Sequence, residues 1–200
     1  MAPILSYITF PASQSFIAED AQVKSAIEEL TNTDGLISSY HGLQVPEEGA
    51  KFGYLLSTWE SPEKLKAFRD VSGDKFNSLL ARLSVGEIER YEFVAIRRVP
   101  EPAFESKVVE LAIGRCAEGV TLDAHRAITI KMSDTIQAAG WPCAVGESAD
   151  GIILLAAGWE SSTEHWDFSK REGARDVFAE IQKTAPDAKF THVSLKKSSR

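Results

Sequence analysis

Three side chains of this sequence combine acid–base chemistry with a place in an apolar, strand-like stretch: His41, Glu92 and His192. Histidine titrates near neutral pH, so it can accept or donate a proton during a reaction. Glu92 and His192 lie one hundred positions apart in stretches that resemble each other. If their strands flank a common space, they form an acid–base pair that needs no cofactor. We therefore predict these three as catalytic residues, with a structural, hydrogen-bonded role as the alternative for His41.

Four aromatic residues are predicted to contact a ligand: Tyr7, Tyr54, Trp59 and Trp159. The tyrosine hydroxyls could orient a phenol or a carbonyl group, and the tryptophan rings could stack on an aromatic molecule. The alternative is structural for both pairs. Each tryptophan would then seal a sheet against its helix, and each tyrosine would be a core residue with its hydroxyl at the rim.

The sequence shows no pattern of metal ligands or phosphate-binding loops. Its four histidines and two cysteines have no ligand-like spacing. It contains neither a glycine-rich phosphate loop nor a nucleophile elbow. We predict no metal and no cofactor. We also expect the other two histidines, His125 and His165, to be exposed on helices.

The overall composition excludes several classes of partner. The chain has 200 residues, is 44% hydrophobic and 26% charged, and carries a net charge of −7. Neither half is basic, so a nucleic-acid partner is not expected. No apolar run approaches the ~20 residues of a membrane span. The first residues lack a signal-peptide pattern, so we predict a cytoplasmic protein with reduced cysteines whose partner is a small-molecule ligand.

A short segment occurs twice and defines the architecture. Residues 55–61 read LLSTWES and residues 155–161 read LAAGWES, and the match extends at the same offset to Phe68 and Phe168. Each copy has an apolar strand that ends at Trp-Glu, followed by a serine suited to cap a helix. In the second copy, Ser161 and Glu164 also form a capping-box pattern.

The flanking segments give both halves the same order of elements, strand-helix-strand-strand-helix-strand. In the first half, hydrophobic periodicity predicts strands at 4–10, 36–45, 52–59 and 91–99, with helices after Ser13 or Ser15 and from Ser61 to 83, the latter broken at Gly73. In the second half, it predicts strands at 108–113, 142–145, 152–159 and 190–195, with helices at 122–137 and 161–183. This order is the ferredoxin-like motif.

The fold class is therefore α+β, with two tandem ferredoxin-like (βαββαβ) repeats. We predict repeats at 1–99 and 107–200, joined by a proline-containing linker at 100–106. Helices cover only one face of such a sheet, so the other face must be buried elsewhere. Two repeats in one chain can bury these faces together and form an intramolecular barrel. The protein would then be a monomeric pseudo-dimer or a homodimer; two independent domains on a tether are the alternative.

At the Trp-Glu-Ser segments, the chain resembles the dimeric α/β-barrel superfamily, in particular its antibiotic-biosynthesis-monooxygenase-like (ABM) branch. Residues 40–47, YHGLQVPE, are similar to the second strand of fungal members with fused tandem copies. The resemblance implies a barrel fold, secondary metabolism, and a tryptophan in the pocket, a role that Trp59 and Trp159 fit. Family monooxygenases often carry an asparagine on the first strand, where this chain offers Ser6, Tyr7 and Thr9 or, in the second half, Glu110.

These features predict a cofactor-independent enzyme that acts on a small aromatic or polyketide-like molecule, as a monooxygenase, cyclase or isomerase, in the barrel cavity. The alternative is a non-catalytic small-molecule-binding or assembly protein that keeps the fold. Haem binding or degradation is a third possibility, because relatives that degrade haem carry a histidine on the helix after the tryptophan. A polar cluster with a histidine in the pocket would favour the enzyme, whereas a space filled with leucine, phenylalanine and valine would favour the binding protein.

Overall fold

A computed structural model describes residues 3–198 of the chain. By packing, the chain divides into two compact units, one formed by Met1–Glu92 with Leu195–Arg200 and the other by Phe93–Ser194. Eight strands form a single closed sheet in the order β1-β3-β2-β8-β5-β7-β6-β4. The predicted α+β fold of two tandem ferredoxin-like repeats that form one barrel is therefore confirmed.

The first unit contains three antiparallel strands covered by three helices. The strands are β1 (Ile4–Pro11), β2 (Leu36–Gln44) and β3 (Phe52–Trp59), with β3 in the middle. The helices are α1 (Gln14–Ile17), α2 (Ala21–Thr31) and α3 (Pro62–Leu83), and a 3-10 turn spans Pro46–Glu48. Strand β4 (Glu89–Arg97) begins in this unit.

The second unit repeats this plan. Its strands are β5 (Val108–Gly114), β6 (Cys143–Glu147), β7 (Ile153–Trp159) and β8 (Lys189–Lys197), and β5 pairs with both β7 and β8. Its helices are α4 (Glu101–Phe104), α5 (Leu122–Ala138), α6 (Ser162–Ser169) and α7 (Ala174–Thr184). The predicted linker at 100–106 therefore contains a short helix. The repeat boundaries at 1–99 and 107–200 follow sequence order and stay a prediction.

Two helix predictions differ from the structure at equivalent glycines. The predicted break at Gly73 is wrong, because α3 runs through it from Pro62 to Leu83. The predicted single helix at 161–183 is instead two helices, and Gly173 between them has φ 84°. Glycine readily adopts a positive φ, which a continuous α-helix does not allow; α6 ends at Ser169, and Gly173 is the residue immediately before α7. The result is a short, separate helix α6 directly after the second Trp-Glu-Ser segment.

None of the helices within residues 3–198 is both long and apolar enough to cross a lipid bilayer. The apolar core of each unit instead lies between its helices and one face of its sheet. In the first unit it includes Trp59, Phe68, Phe10 and Phe16. In the second unit it includes Trp159, Phe168, Met132 and Ile136. This helix-covered face of each unit carries the features relevant to function.

Candidate functional site

A pocket lies between the sheet and the helices of the second unit. Its floor is formed by alternate residues of β5, namely Glu110, Ala112 and Gly114, which share one face of the strand. The pocket contains about 550 Å³ of space outside the atoms, including solvent at its mouth. Ala112 has only a methyl side chain and Gly114 has none, so little side-chain volume fills the pocket above these two residues.

The helices complete the lining of this pocket. On α5, His125, Thr129, Met132 and Ile136 recur at intervals of three and four, so they lie on one helix face. Helix α6 adds His165 and Phe168, and α7 adds Phe178 and Ile181. Apart from a few polar groups, the walls are therefore aliphatic and aromatic, as is usual for sites that bind small organic molecules.

Four buried side chains form a polar network at the Glu110 end of the pocket. The Trp159 ring N–H donates to Glu110 Oε2 at 3.2 Å. The same oxygen lies 3.4 Å from His165 Nε2. On its other side, His165 Nδ1 lies 2.8 Å from His192 Nε2. Glu110, His165 and His192 are 3%, 4% and 0% exposed, so an apolar environment strengthens every interaction among them.

Local sequence determines where these groups point. Glu110 and His192 are directly paired across β5 and β8, which places both side chains on the helix side of the sheet. Half of the predicted capping box is present: Ser161 Oγ accepts from the Glu164 N–H at 3.2 Å, but Glu164 Oε2 accepts from the Glu160 N–H at 3.0 Å rather than from the N–H of the capping Ser161. This cap fixes the first turn of α6, and His165 follows it immediately.

The protons in this network can be counted. A hydrogen bond between two imidazole nitrogens needs a proton on one and a lone pair on the other. When His192 Nε2 carries that proton, a neutral His165 carries its own proton on Nε2, facing Glu110. The Glu110 carboxylate then faces two donors, from Trp159 and His165. The arrangement can hold a carboxylate in an apolar pocket and can pass a proton along a chain of three groups.

The network does not fit an iron or zinc ligand set. Both ring nitrogens of His165 face other side chains of the network, so neither is directed at a metal. Within residues 3–198, no group of three His, Cys, Asp or Glu side chains is arranged to hold a metal ion. Haem-degrading relatives carry a histidine on the helix after the tryptophan, and His165 lies on that helix in the second unit. Because both of its ring nitrogens face other side chains, His165 does not offer an axial ligand to a haem iron.

The two predicted ligand-binding tryptophans are buried core residues of their units. Trp59 is 0% exposed, packs on Phe68 at 5.1 Å between ring centroids, and donates to Ser57 Oγ at 2.9 Å. Trp159 likewise packs on Phe168 at 5.3 Å. Neither ring lines the pocket of the second unit. Trp159 acts on that pocket through its hydrogen bond to Glu110.

The predicted ligand-binding tyrosines lie on the other face of the first unit's sheet. Tyr7 and Tyr54 are buried, and their rings meet edge-to-face at 6.1 Å. Tyr91 joins them at 5.8 Å from Tyr7. Burial, together with the nearby Tyr54 and Glu89, raises the pKa of Tyr7 well above its usual value. Since Trp59 faces the helices, the structure does not bring these tyrosines and Trp59 to one site.

The three predicted catalytic residues occupy three different environments. His41 is half-buried on β2 and its Nδ1 lies 3.1 Å from Ser198 Oγ; burial lowers its pKa. The Glu92 side chain is 40% exposed and forms an ion pair with Arg69 of α3. His192 is fully buried in the polar network. Of the three, only His192 belongs to the pocket region.

Sequence reasoning missed two histidines at the pocket. His125 and His165 were expected to be exposed on helices, and this is wrong, because they are 3% and 4% exposed. A signal existed for both. His125 lies on the same helical stripe as Met132 and Ile136, and His165 lies three residues before the buried Phe168. A histidine within an otherwise apolar stripe of a helix was therefore the sequence signal for this pocket.

Solved structures with a similar fold identify the fold class of the chain. The chain is similar to a proposed monooxygenase from Fusobacterium nucleatum subsp. nucleatum, with a TM-score of 0.73 and 9% identity over 100% of this chain and 95% of that one. It is also similar to a proposed monooxygenase from Lactobacillus acidophilus, with a TM-score of 0.69 and 9% identity, covering 100% and 97%.

A third similar structure is an anthrone oxidase-like protein, with a TM-score of 0.70 and 9% identity, covering 100% of this chain and 94% of that one. No protein-family model matches the sequence, and a search of curated proteins gives no match. At this identity, the likeness shows the fold alone. The chain has the dimeric α/β-barrel fold, as the resemblance at the Trp-Glu-Ser segments implied.

Proposed function

We propose that this chain is a cofactor-independent enzyme that removes a proton from a small aromatic molecule in the pocket of the second unit. Glu110 is the general base, and the His165 imidazole, with Nε2 3.4 Å from Glu110 Oε2, is its partner. The observation that carries the proposal is the Glu110–His165 pair at one end of an otherwise apolar pocket. The sequence predicts a ligand inside the barrel, whereas this pocket lies on the helix-covered face of the sheet.

The network supplies what a buried general base requires. A carboxylate in an apolar pocket loses its hydration, and nearby donors must replace it. The Trp159 N–H at 3.2 Å does so. The His165 Nε2 atom at 3.4 Å is positioned to do the same and to stabilise negative charge on the bound molecule. His192 positions His165 by fixing where its ring proton lies, and it does not itself line the pocket.

Removal of the proton leaves an electron-rich phenolate or enolate. Such an anion can rearrange, as in an isomerase or cyclase, or react directly with dioxygen. In the oxygenation of a methylene group, one CH₂ and one O₂ give one C=O and one H₂O, which balances without a cofactor. Oxygenation is the first reaction to test, because chains named as proposed monooxygenases and an anthrone oxidase-like protein have this fold.

The alternative is a binding protein that uses the same pocket without chemistry. The observation in its favour is that most of the pocket wall is apolar. A polar cluster that contains a histidine favours the enzyme, as set out from the sequence. His41 and Glu92 remain predicted catalytic residues for which a role outside this pocket would have to be found.

The test uses anthrone in buffered D₂O and in air-saturated water. Exchange of the CH₂ protons, followed by NMR, measures proton removal; oxygen uptake with anthraquinone formation measures oxygenation. Glu110→Gln keeps the shape of the side chain but removes the base, so both rates should fall about 10²–10⁴-fold. Ser6→Ala changes the corresponding position of the first unit and is the matched control. Wild-type rates in Glu110→Gln would contradict the proposal.

A further inference from the structure

The pocket of the second unit has polar groups at both ends. Glu110 and Gly114 lie on the same face of β5, four residues apart. At about 3.3 Å per residue, this separation is ~13 Å. Between them, the floor is Ala112 and the walls are apolar. The Glu110 end carries the network already described, and the Gly114 end carries His125.

Close packing places His125 at the Gly114 end. A Cβ atom at Gly114 would lie 2.8 Å from Ala188 Cβ and 3.3 Å from Ala185 Cβ, so this segment sits directly over the glycine. Thr184, the residue before Ala185, contacts His125 through Thr184 Oγ1 and His125 Nδ1 at 3.0 Å. His125 is therefore held beside the end of β5 that lies away from Glu110.

The hydrogen bonds of Thr184 fix the tautomer of His125. The single hydroxyl proton of Thr184 is donated to the Ile181 carbonyl at 3.0 Å. Thr184 Oγ1 must then accept the bond from His125, which places the imidazole proton on Nδ1. The other nitrogen, Nε2, consequently carries a lone pair. Within residues 3–198, no side chain or backbone group donates a hydrogen bond to it.

Burial also keeps His125 neutral. Desolvation lowers the pKa of its imidazole, so the lone pair on Nε2 persists at neutral pH. The Thr129 hydroxyl is occupied as well, because it donates to the His125 carbonyl at 2.9 Å. The far end of the pocket therefore presents a hydrogen-bond acceptor to whatever lies in the pocket.

We propose that His125 Nε2 accepts a hydrogen bond from a hydroxyl at the far end of the ligand, so that the pocket selects flat, apolar molecules with a hydroxyl group at each end. This inference rests on the proposed function, because it takes the ligand of the Glu110 site as its starting point. It adds a specificity determinant that lies away from the reacting atoms.

The span between the two ends sets the length of the ligand. The ~13 Å between the Cα atoms of Glu110 and Gly114 gives the scale of this span, and two hydrogen bonds of about 2.8 Å take up roughly 5–6 Å of it. About 7–8 Å is left between the two terminal oxygens. Two fused aromatic rings with hydroxyls at opposite ends have this length, and the small side chains on the floor of the pocket suit a flat molecule.

Two naphthols test the inference without any turnover. 2,6-Dihydroxynaphthalene has a hydroxyl at each end, and 2-naphthol has the same rings with one hydroxyl. Naphthol fluorescence or titration calorimetry gives both dissociation constants. A hydrogen bond contributes about 3- to 10-fold in affinity, so the wild-type protein should prefer the diol by that factor. The symmetric diol gains about twofold from its two orientations alone, and the preference must exceed this.

Three variants locate the source of the preference. His125→Asn keeps a donor towards Thr184 but has no group at the position of Nε2, so the preference should fall to about twofold while 2-naphthol binding stays within about twofold of wild type. His125→Gln places an oxygen near that position and should restore part of the preference. Thr135→Val removes a hydroxyl of the same helix that lies outside the pocket lining and should leave the preference intact.

The naphthol affinities of the wild type and of the His125 variants either support or contradict the inference. Three results would each overturn the inference. They are a wild-type preference for the diol that does not exceed the twofold statistical factor, a preference that survives in His125→Asn, and failure of the wild type to bind either naphthol. The proposed function is judged separately by proton exchange in Glu110→Gln. A diol preference together with unchanged exchange in that variant would reject the enzyme mechanism and retain the two-ended binding site.

Discussion

The helix-covered faces of the two units are built to the same plan and filled in different ways. Counting from the pairs Ile4–Trp59 and Val108–Trp159, Phe10 of β1 corresponds to Gly114 of β5. In the first unit, the Phe10 and Phe16 rings meet at 5.0 Å. A side chain at Gly53, opposite Phe10, would lie 2.7 Å from both rings. Aromatic side chains therefore fill the part of the first unit that corresponds to the pocket of the second.

The same correspondence explains the difference in chemistry. Ser6 occupies the place of Glu110, and Leu65, four residues after the capping serine, occupies the place of His165. The first tryptophan therefore donates to the Ser57 hydroxyl, whereas the second donates to a carboxylate. The same fold thus has a packed core in one unit and a pocket in the other, and the two units differ in the size of the side chains on the first strand.

The largest effect should come from emptying the filled face. Phe10→Ala removes a side chain that is 1% exposed and should lower the free energy of unfolding by about 3–5 kcal/mol. Phe190→Ala is the comparison in the second unit, where the ring is only partly buried and lines the pocket, and should cost at least about 1 kcal/mol less. Urea unfolding measures both. Equal losses would mean that the two faces are equally packed.

An intermediate effect should distinguish the two tryptophans. Phenylalanine replaces most of the ring in both cases but removes the N–H donor. Trp159→Phe deprives a buried carboxylate of a donor, which costs about 1.5–3 kcal/mol, whereas Trp59→Phe deprives a neutral hydroxyl and costs about 0.5–1.5 kcal/mol. The difference in unfolding free energy between the two variants is the measurement. A larger loss in Trp59→Phe would contradict a charged Glu110.

The smallest change in stability should come from closing the pocket. Ala112→Ile introduces the residue found at the corresponding position of the first unit, Ile8. The side chain enters existing space, so the unfolding free energy should change by less than about 1.5 kcal/mol. Binding of 2-naphthol should nevertheless weaken about tenfold or more, because the isoleucine occupies the floor of the pocket. Unchanged naphthol affinity would place the ligand elsewhere.

Much of the fold was predictable because it depends on local patterns. Strand alternation and the repeated Trp-Glu-Ser segment predicted the order of elements in both halves, and Ser161 caps α6 as expected by accepting from the Glu164 N–H. Backbone conformation at a single glycine was not predictable. Gly73 and Gly173 are equivalent in sequence, yet only Gly173 adopts a positive φ, and it lies immediately before α7 in the break between α6 and α7.

The site was predictable only in part, because it depends on which strand face meets the helices. His192 was correctly placed on a strand, but its partner is His165 rather than Glu92. Glu110 was noted on the first strand of the second half without a partner. Its contact with His165 joins residues 55 positions apart, and no local pattern records such a contact. His125 was recognisable only as a polar residue on an apolar helix stripe.

The final strand has a consequence for how the protein is made. The first unit includes Leu195–Arg200, and within it the Ser198 N–H donates to the Ser39 carbonyl at 2.8 Å while the Ser198 hydroxyl contacts His41. A ribosome synthesises residues 3–92 first, but these contacts form only after Ser198 has also been synthesised and has left the exit tunnel. The first unit is therefore completed only after the residues of the second unit have been translated.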